Sequence, residues 1–445
     1  MSARLIESLA TTEALAEVFS DASILRAMLD FEAALARVEG RLGVIPAAAA
    51  AAIERAANAP DFPVADLARE TLRAGTPGIP LVKALTERVH ASDPAAAAFV
   101  HCGATSQDVA DTALVLLLKR AEALLAADHA RLDCALRDLS TKHQNTVMLG
   151  RTLLQPAPPV TLGLKAAGWL GAIRRGWTRL SASFAEARIV QFGGASGTLA
   201  VLGDQGSEVG RALAKELGLG SPDAPWHTHR DRLAAVIAAC GVQTGSLGKM
   251  ARDVALLMQG EVAEAAEPGG AGRGGSSTMP HKRNPIACSL SLAASHRVPG
   301  LVAAFLSAMV QEHERAVGGW QSEWPTVAAV IQATGLAAAS MAEVAEGLLV
   351  DETRMRANIE ATRGIIFAER ISMALAPSLG RDAAHKLLQQ AMQQSIAQHR
   401  RLIDILSEMP EVTRILPAAK LGELDASESY LGSAETFRAR LTSTE

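Results

Sequence analysis

Residues 269–285 read GGAGRGGSSTMPHKRNP: five glycines, then Ser276 and Ser277, then Met279, Pro280, Lys282 and Asn284 at fixed spacing. Glycine loses the most entropy on ordering and accepts positive φ, so a run this rich in it beside polar, reactive side chains suits a loop that opens and closes over a ligand. A plain surface linker has no reason to gather Ser276, Ser277, Lys282 and Asn284 within nine residues. A phosphate cradle is excluded, because no Lys-Ser or Lys-Thr follows the glycines and no strand pattern precedes them. The stretch therefore reads as a lid over an active site.

The rest of the composition says what such a lid is mounted on. The chain has 445 residues, enough for two or three domains, and is 49% hydrophobic with only 3% aromatics. Its core is thus made of Ala, Leu and Val, small helix formers that let helices pack closely, and the expected class is all-α with a long central helix bundle. A net charge of -4 and a pI near 6.3 give no electrostatic reason to expect nucleic acid or an anionic membrane as partner. An anionic substrate must then meet a local cationic pocket. Cys102, Cys134, Cys240 and Cys288 are far apart and fit neither a CxxC metal site nor a dense disulfide framework, which points to a reducing, cytoplasmic compartment. The first residues carry no signal-type apolar core, and no uninterrupted apolar run reaches the roughly 18 residues of a membrane span.

Outward from the lid, the expected domains are residues 1–108, 109–350 and 351–445, with small helical domains at both ends. Ile24, Leu25, Met28, Leu29, Phe31, Leu35 and Val38 recur at helical spacing after a Ser-Asp start. The turn text GTPGIP at 75–80 opens another helix, as does HCGATSQD at 101–108. Thr105 and Ser106 there either cap the helix or, with its free N–H groups, hold a carboxylate. Long periodic segments are expected at about 157–187, 231–267, 284–313 and 324–350. Helices of that length usually bury a face on partner chains, so a homo-oligomer is expected. Two polar knots interrupt them. GRTLLQPAPP at 150–159 places Arg151, Thr152 and Gln155 in a proline-rich, non-helical bend. WHTHRDR at 226–232 carries His227 and His229, read as a hydrogen-bonded pair because no third ligand stands at metal-site spacing. Trp320 and Trp324 read as packing residues.

The string GSSTMPHKRNP resembles the signature of the fumarase/aspartase superfamily, G-S-S-x-M-P-x-K-x-N. GATSQD resembles that family's Thr-Ser segment, GRTLLQ its Arg-Thr-x-x-Gln segment, and the long helices its central bundle. The resemblance implies a homotetramer with a twenty-helix core and active sites that each draw on three subunits. Within the superfamily, IPLVKAL at 79–85, VHCGATSQD, QFGGASGTLA at 191–200, PWHTHRDRL and QEHERAVGGWQSEW at 311–324 look like the carboxymuconate cycloisomerases. Adenylosuccinate lyase shares the MPHKRNP text, but its Arg-Thr-His element is here Arg151, Thr152 and Leu153, and its Lys-His-Asp element has no counterpart near Lys83. The family's usual Gln-His is here Gln155-Pro156.

Those departures make chemical sense. An amine leaving group needs a proton from an acid such as histidine. A lactone's leaving group is a carboxylate, stable as an anion above a pKa of about 4. In the ring-closing direction one carboxylate adds to a double bond and the carbon beside another takes a proton. The resemblance then implies Ser276 for proton transfer, its alkoxide stabilised by backbone N–H groups of the glycine loop, with Lys282 the second catalytic residue. Lys282 and Asn284 hold the carboxylate whose neighbouring carbon turns carbanion-like, and Thr105, Ser106 and Gln155 hold a second. Ser277 and Met279 shape the loop, and Arg315 is the further cation a small tricarboxylate needs. No metal, nucleotide or flavin is implied. The rival readings are a C–N lyase of the adenylosuccinate lyase type and a non-catalytic scaffold of the same fold.

Overall fold

The structure is a computed structural model that describes residues 5–269, 274–275, 278–279 and 282–443. Ser276 and Ser277, to which the sequence assigns proton transfer and loop shape, lie outside the described residues. The described residues are mostly helical, with two short two-stranded antiparallel sheets among them. It divides into two compact units, Met1–Ala130 with Arg175–Gly248 and Leu290–Ser340, and Arg131–Arg174 with Lys249–Ser289 and Met341–Glu445.

In the first unit the helix Asp21–Leu42 starts where the Ser20 side chain accepts the Ser23 N–H at 3.2 Å and stops at Gly43, whose φ of 72° an L side chain rarely adopts. Its buried face, Met28, Phe31, Leu35 and Val38, packs on Ile53 of the helix Ala47–Ala57 and Leu81 and Leu85 of the helix Gly78–Ser92. A Cβ on Gly78 would lie 2.9 Å from the Ser106 Cα, so the absence of a side chain lets that helix abut the Thr-Ser segment directly.

In the second unit, Val147–Thr152 and Gln155–Thr161 form a hairpin with Thr152 opposite Gln155. Its two turn residues, Leu153 and Leu154, have φ of 50° and 64°. Positive φ at both positions is the demand of a tight hairpin turn whose twist matches the strands, and leucine meets it at some strain. Both leucines stand out, 97% and 73% exposed. Val147 and Leu149 pack on Phe367, Ile371, Leu388 and Leu402 of the C-terminal helices.

Four sequence boundaries need correction. The helix expected from about 157 begins at Leu162, because residues 155–161 are the second hairpin strand. Pro156, Pro158 and Pro159 lack the N–H a helix needs but are tolerated in a two-stranded ribbon. The helix Asp231–Leu257 ends ten residues before the expected Glu267, and Ala265–Ala266 pairs with Leu349–Val350 instead. The remaining long helices are Ile286–Ala308, shorter than expected, and Gly319–Gly347, which starts before Trp324 and carries Pro325 inside.

The expectation that no segment is long and apolar enough to cross a membrane is also corrected. Among the described residues three helices qualify by length and composition alone, Asp231–Leu257, Ile286–Ala308 and Gly319–Gly347, whose most apolar windows have mean hydropathies of 1.2, 1.2 and 1.5. Counting uninterrupted apolar residues missed them because Gly, Ser and Thr are interspersed among Ala, Val and Leu. Their most apolar windows are 56%, 28% and 72% buried within the chain itself.

The hairpin supplies a stability test. At Gly150, beside a register shift, an added Cβ would fall 2.2 Å from the Pro158 carbonyl oxygen, which is backbone and cannot step aside. Gly150→Ala is expected to destabilise the protein by about 1–3 kcal/mol, seen as a lower urea midpoint with unchanged helical circular dichroism before the transition.

Candidate active site

In the first unit the site grows from the start of the helix Ser106–Lys142. Asp108, with no exposed surface, accepts the Thr105 N–H at 3.0 Å, closing the helix start with an acidic third residue. The same carboxylate accepts the N–H groups of Gly193 and Gly194 at 3.1 and 2.9 Å and His227 Nε2 at 2.7 Å. Three loops far apart in sequence are thus tied to one buried carboxylate. The reading of His227 and His229 as a pair is corrected here: His227 bonds Asp108, because a buried carboxylate is the stronger acceptor.

One turn further along, Asp111 shares a buried ion cluster. Arg230, fully buried, reaches Asp111 at 2.7 and 3.0 Å and Glu323 at 2.5 to 3.0 Å. Burial pulls the Arg230 pKa down, and the two carboxylates more than reverse this, leaving it raised. Trp320 Nε1 donates to Asp111 at 3.0 Å and Gln311 Nε2 to Glu323 at 2.6 Å. Trp320 therefore does more than pack. Its indole, Gln311 and Glu323 hold both ends of the segment that carries Arg315.

Arg315 donates from Nη1 to the Thr105 hydroxyl at 3.0 Å and from Nη2 to the Ala195 carbonyl at 3.1 Å, while its buried Nε has no partner. The Thr105 hydroxyl thus faces an arginine instead of capping the helix. Two residues chosen from the sequence, Thr105 and Arg315, are brought together, with half-buried Ser106 next to them.

The second unit holds the other candidates. Glu267, 5% exposed, accepts the N–H groups of Ala287 and Cys288 at 3.0 and 2.7 Å, clamping the base of the glycine-rich loop to the start of the helix Ile286–Ala308. A carboxylate there also suits the positive end of the helix dipole. Within the loop, Asn284 donates its backbone N–H to Gly274 O at 2.9 Å, and Lys282 donates its own to Met279 O at 3.0 Å. The side chains of Lys282 and Met279 are exposed. Gln155 is exposed at the hairpin end, while Arg151 forms a two-pronged pair with fully buried Glu264 at 2.9 and 2.7 Å, braced by Asn358 at 2.7 Å. Arg151 is a structural strut of the hairpin. Asp108, Arg230, Glu267 and Glu323 were missed by sequence reasoning; the available signal was charge on otherwise apolar helix faces, as in QDVADTALV at 107–115.

An all-α chain of long helices with a glycine-rich signature loop and a Thr-Ser helix start defines a lyase of the fumarase/aspartase class. The chain belongs to the family described as Lyase, which residues 7–300 match, and residues 364–441 match the family Adenylosuccinate lyase C-terminus. The chain is 49% identical over 423 residues, 95% of its length and 92% of the relative's, to a 3-carboxy-cis,cis-muconate cycloisomerase of Pseudomonas aeruginosa. It is 43% identical, covering 93% and 89%, to a nitrosuccinate lyase of Streptomyces davaonensis. The crystal structure of 3-carboxy-cis,cis-muconate lactonizing enzyme from Pseudomonas putida matches with a TM-score of 0.93 at 44% identity, covering 99% of this chain and 98% of that one.

Removing Arg230 would leave Asp111 and Glu323 buried without their cation. Arg230→Leu is expected to cost about 3–5 kcal/mol of stability, measured as a fall in the denaturation midpoint.

Proposed function

We propose that the chain is a 3-carboxy-cis,cis-muconate cycloisomerase, interconverting that tricarboxylate and 4-carboxymuconolactone in protocatechuate breakdown. The observation that carries the reading is near full-length likeness to enzymes of that name combined with Leu153 where a C–N lyase needs its acid histidine. One carboxylate of the muconate adds to the distal double bond, forming the C–O bond of the lactone. The electron pair moves onto the carbon beside a second carboxylate, and Ser276 delivers a proton there. Lys282 and Asn284 stabilise the aci-carboxylate that develops, which is worth more in the transition state than in the ground state. Thr105, Ser106 and Gln155 bind a further carboxylate and Arg315 supplies a cation, while Ser277 and Met279 shape the lid.

The working form is a cytoplasmic homotetramer with each site shared between three subunits, needing no cofactor, nucleic acid or membrane. Its support is the helix Ile286–Ala308, whose apolar window is only 28% buried by its own chain and so requires a covering surface. Within each chain the candidates are also split, Thr105, Ser106 and Arg315 in one unit and Gln155, Met279, Lys282 and Asn284 in the other.

A second reading, nitrosuccinate lyase, is favoured by the 43% identity to the Streptomyces enzyme. Nitrite, like a carboxylate, leaves as a stable anion and needs no acid, so Leu153 does not separate the two. An ultraviolet assay of the purified protein with 3-carboxy-cis,cis-muconate, nitrosuccinate and adenylosuccinate in separate cuvettes does. Loss of diene absorbance in the first alone is expected; turnover in the second or third alone overturns the reading. Ser276→Ala is expected to lower kcat by about a hundredfold or more, and Arg315→Ala to raise KM by roughly tenfold or more.

A further inference from the structure

The second unit contains a cavity of about 580 Å³, a size usual for small-molecule sites, in which Gln155 is the only lining residue that the mechanism above uses. Its walls come from the hairpin, the turn at Glu261 and Val262, and residues 358–366, all within that unit. Most of its polar side chains are already satisfied. Arg151 is paired with Glu264, Asn358 donates to the Val262 carbonyl at 2.9 Å and to Glu264 at 2.7 Å, and the Thr362 hydroxyl donates to the Ile359 carbonyl at 2.7 Å. Three side chains remain, those of Gln155, Glu261 and Arg363, and none has a hydrogen-bond or ion-pair partner among the described residues.

Arg363 is the unexpected one. Its φ is 53°, a left-handed conformation that a non-glycine residue keeps only when its surroundings impose it. They do so here through the backbone. The Arg363 N–H donates to the Glu360 carbonyl and its carbonyl accepts the Leu402 N–H, both at 2.9 Å, and Gly364 with φ 79° completes the turn. Glycine or asparagine would meet the same turn with less strain, so the turn itself does not call for arginine. Nor does the surrounding fold, since the half-buried guanidinium has no acceptor in it. Partial burial of a charge without a partner is unfavourable. A planar fork of N–H groups left open in a cavity matches the two oxygens of a carboxylate.

We propose that Arg363 is a further substrate-binding residue, which together with Gln155 takes one carboxylate of the ligand in this cavity. The ligand class, a small tricarboxylate, rests on the function proposed above. The guanidinium presents two parallel N–H groups to the carboxylate and the Gln155 amide a third, beside the apolar side chains of Leu149 and Ile366, where a charged hydrogen bond is stronger than in water. Glu261, which is exposed, brings the opposing charge to the same lining. It makes the cavity bind an anion less tightly than Arg363 alone would. The arginine arrives with its backbone fixed, which lowers the entropy lost when the ligand is bound.

The test measures binding and turnover separately. Arg363→Gln keeps a long polar side chain on the same backbone and removes the charge. Its calorimetric affinity for propane-1,2,3-tricarboxylate is expected to fall roughly tenfold or more, with unchanged helical circular dichroism. KM for 3-carboxy-cis,cis-muconate is expected to rise by a similar factor while kcat stays within about threefold. Glu261→Gln is expected to tighten binding of the same probe about twofold or more. Because Gln155 and Arg363 share one carboxylate, the double variant Gln155→Ala, Arg363→Gln is expected to lose less than the product of the two single losses. Unchanged affinity in Arg363→Gln, or fully multiplicative losses in the double variant, overturns the inference. So does weaker binding in Glu261→Gln. Turnover of 3-carboxy-cis,cis-muconate with KM indifferent to Arg363 leaves the proposed function standing and removes the site. Probe binding governed by Arg363 without that turnover keeps the site and removes the function.

Discussion

A guanidinium with no access to water, that of Arg230, lies between Asp111 and Glu323, and the arrangement of candidate residues in the first unit depends on it. Taking three charges out of water carries a desolvation penalty that is met only if the geometry is good and the remaining lone pairs are filled. Here they are filled by Trp320, Gln311 and Gln107. The cluster therefore tolerates one arrangement of the Trp226 segment, the Ser106 helix and the segment around Arg315. Asp108, three residues before Asp111 on the same helix face, does the same for the Gly193–Gly194 loop and His227. Loops that would otherwise wander are fixed by charge pairing to a rigid helix.

The second unit uses a related device for a different purpose. Glu267 fastens the loop's base to the start of the following helix, and the pair of Arg151 with Glu264 stiffens the hairpin behind Leu153 and Leu154. The strained turn stays exposed at the hairpin tip. Candidate functional residues sit at helix starts, in a turn and in a loop, while the long helices supply rigidity. That division suits a family in which chemistry varies from cycloisomerase to nitrosuccinate lyase on one scaffold.

The chemistry is consistent with what is absent as well as present. A leaving group that is stable as an anion asks nothing of position 153, so leucine there is no loss. What the reaction asks for instead is a proton donor to carbon and several cations arranged around carboxylates. Arg315, drawn to Thr105 and Ala195 with one nitrogen unpaired, has the look of a group set in place before the ligand arrives.

From sequence alone the all-α class and the long helices could be named, and Thr105, Ser106, Gln155, Lys282, Asn284 and Arg315 could be singled out as candidates. Composition and helical spacing are local properties, and the signature text is contiguous, so no folding was needed to read them. The hairpin at 147–161 was partly misread as helix because its apolar spacing fits both periods until the strand partner is known. The buried charges were illegible for a deeper reason. Arg230 meets Asp111 and Glu323 across 119 and 93 positions, and whether a charged side chain is a solvated surface group or a buried strut depends on a partner that only the tertiary structure brings within 3 Å.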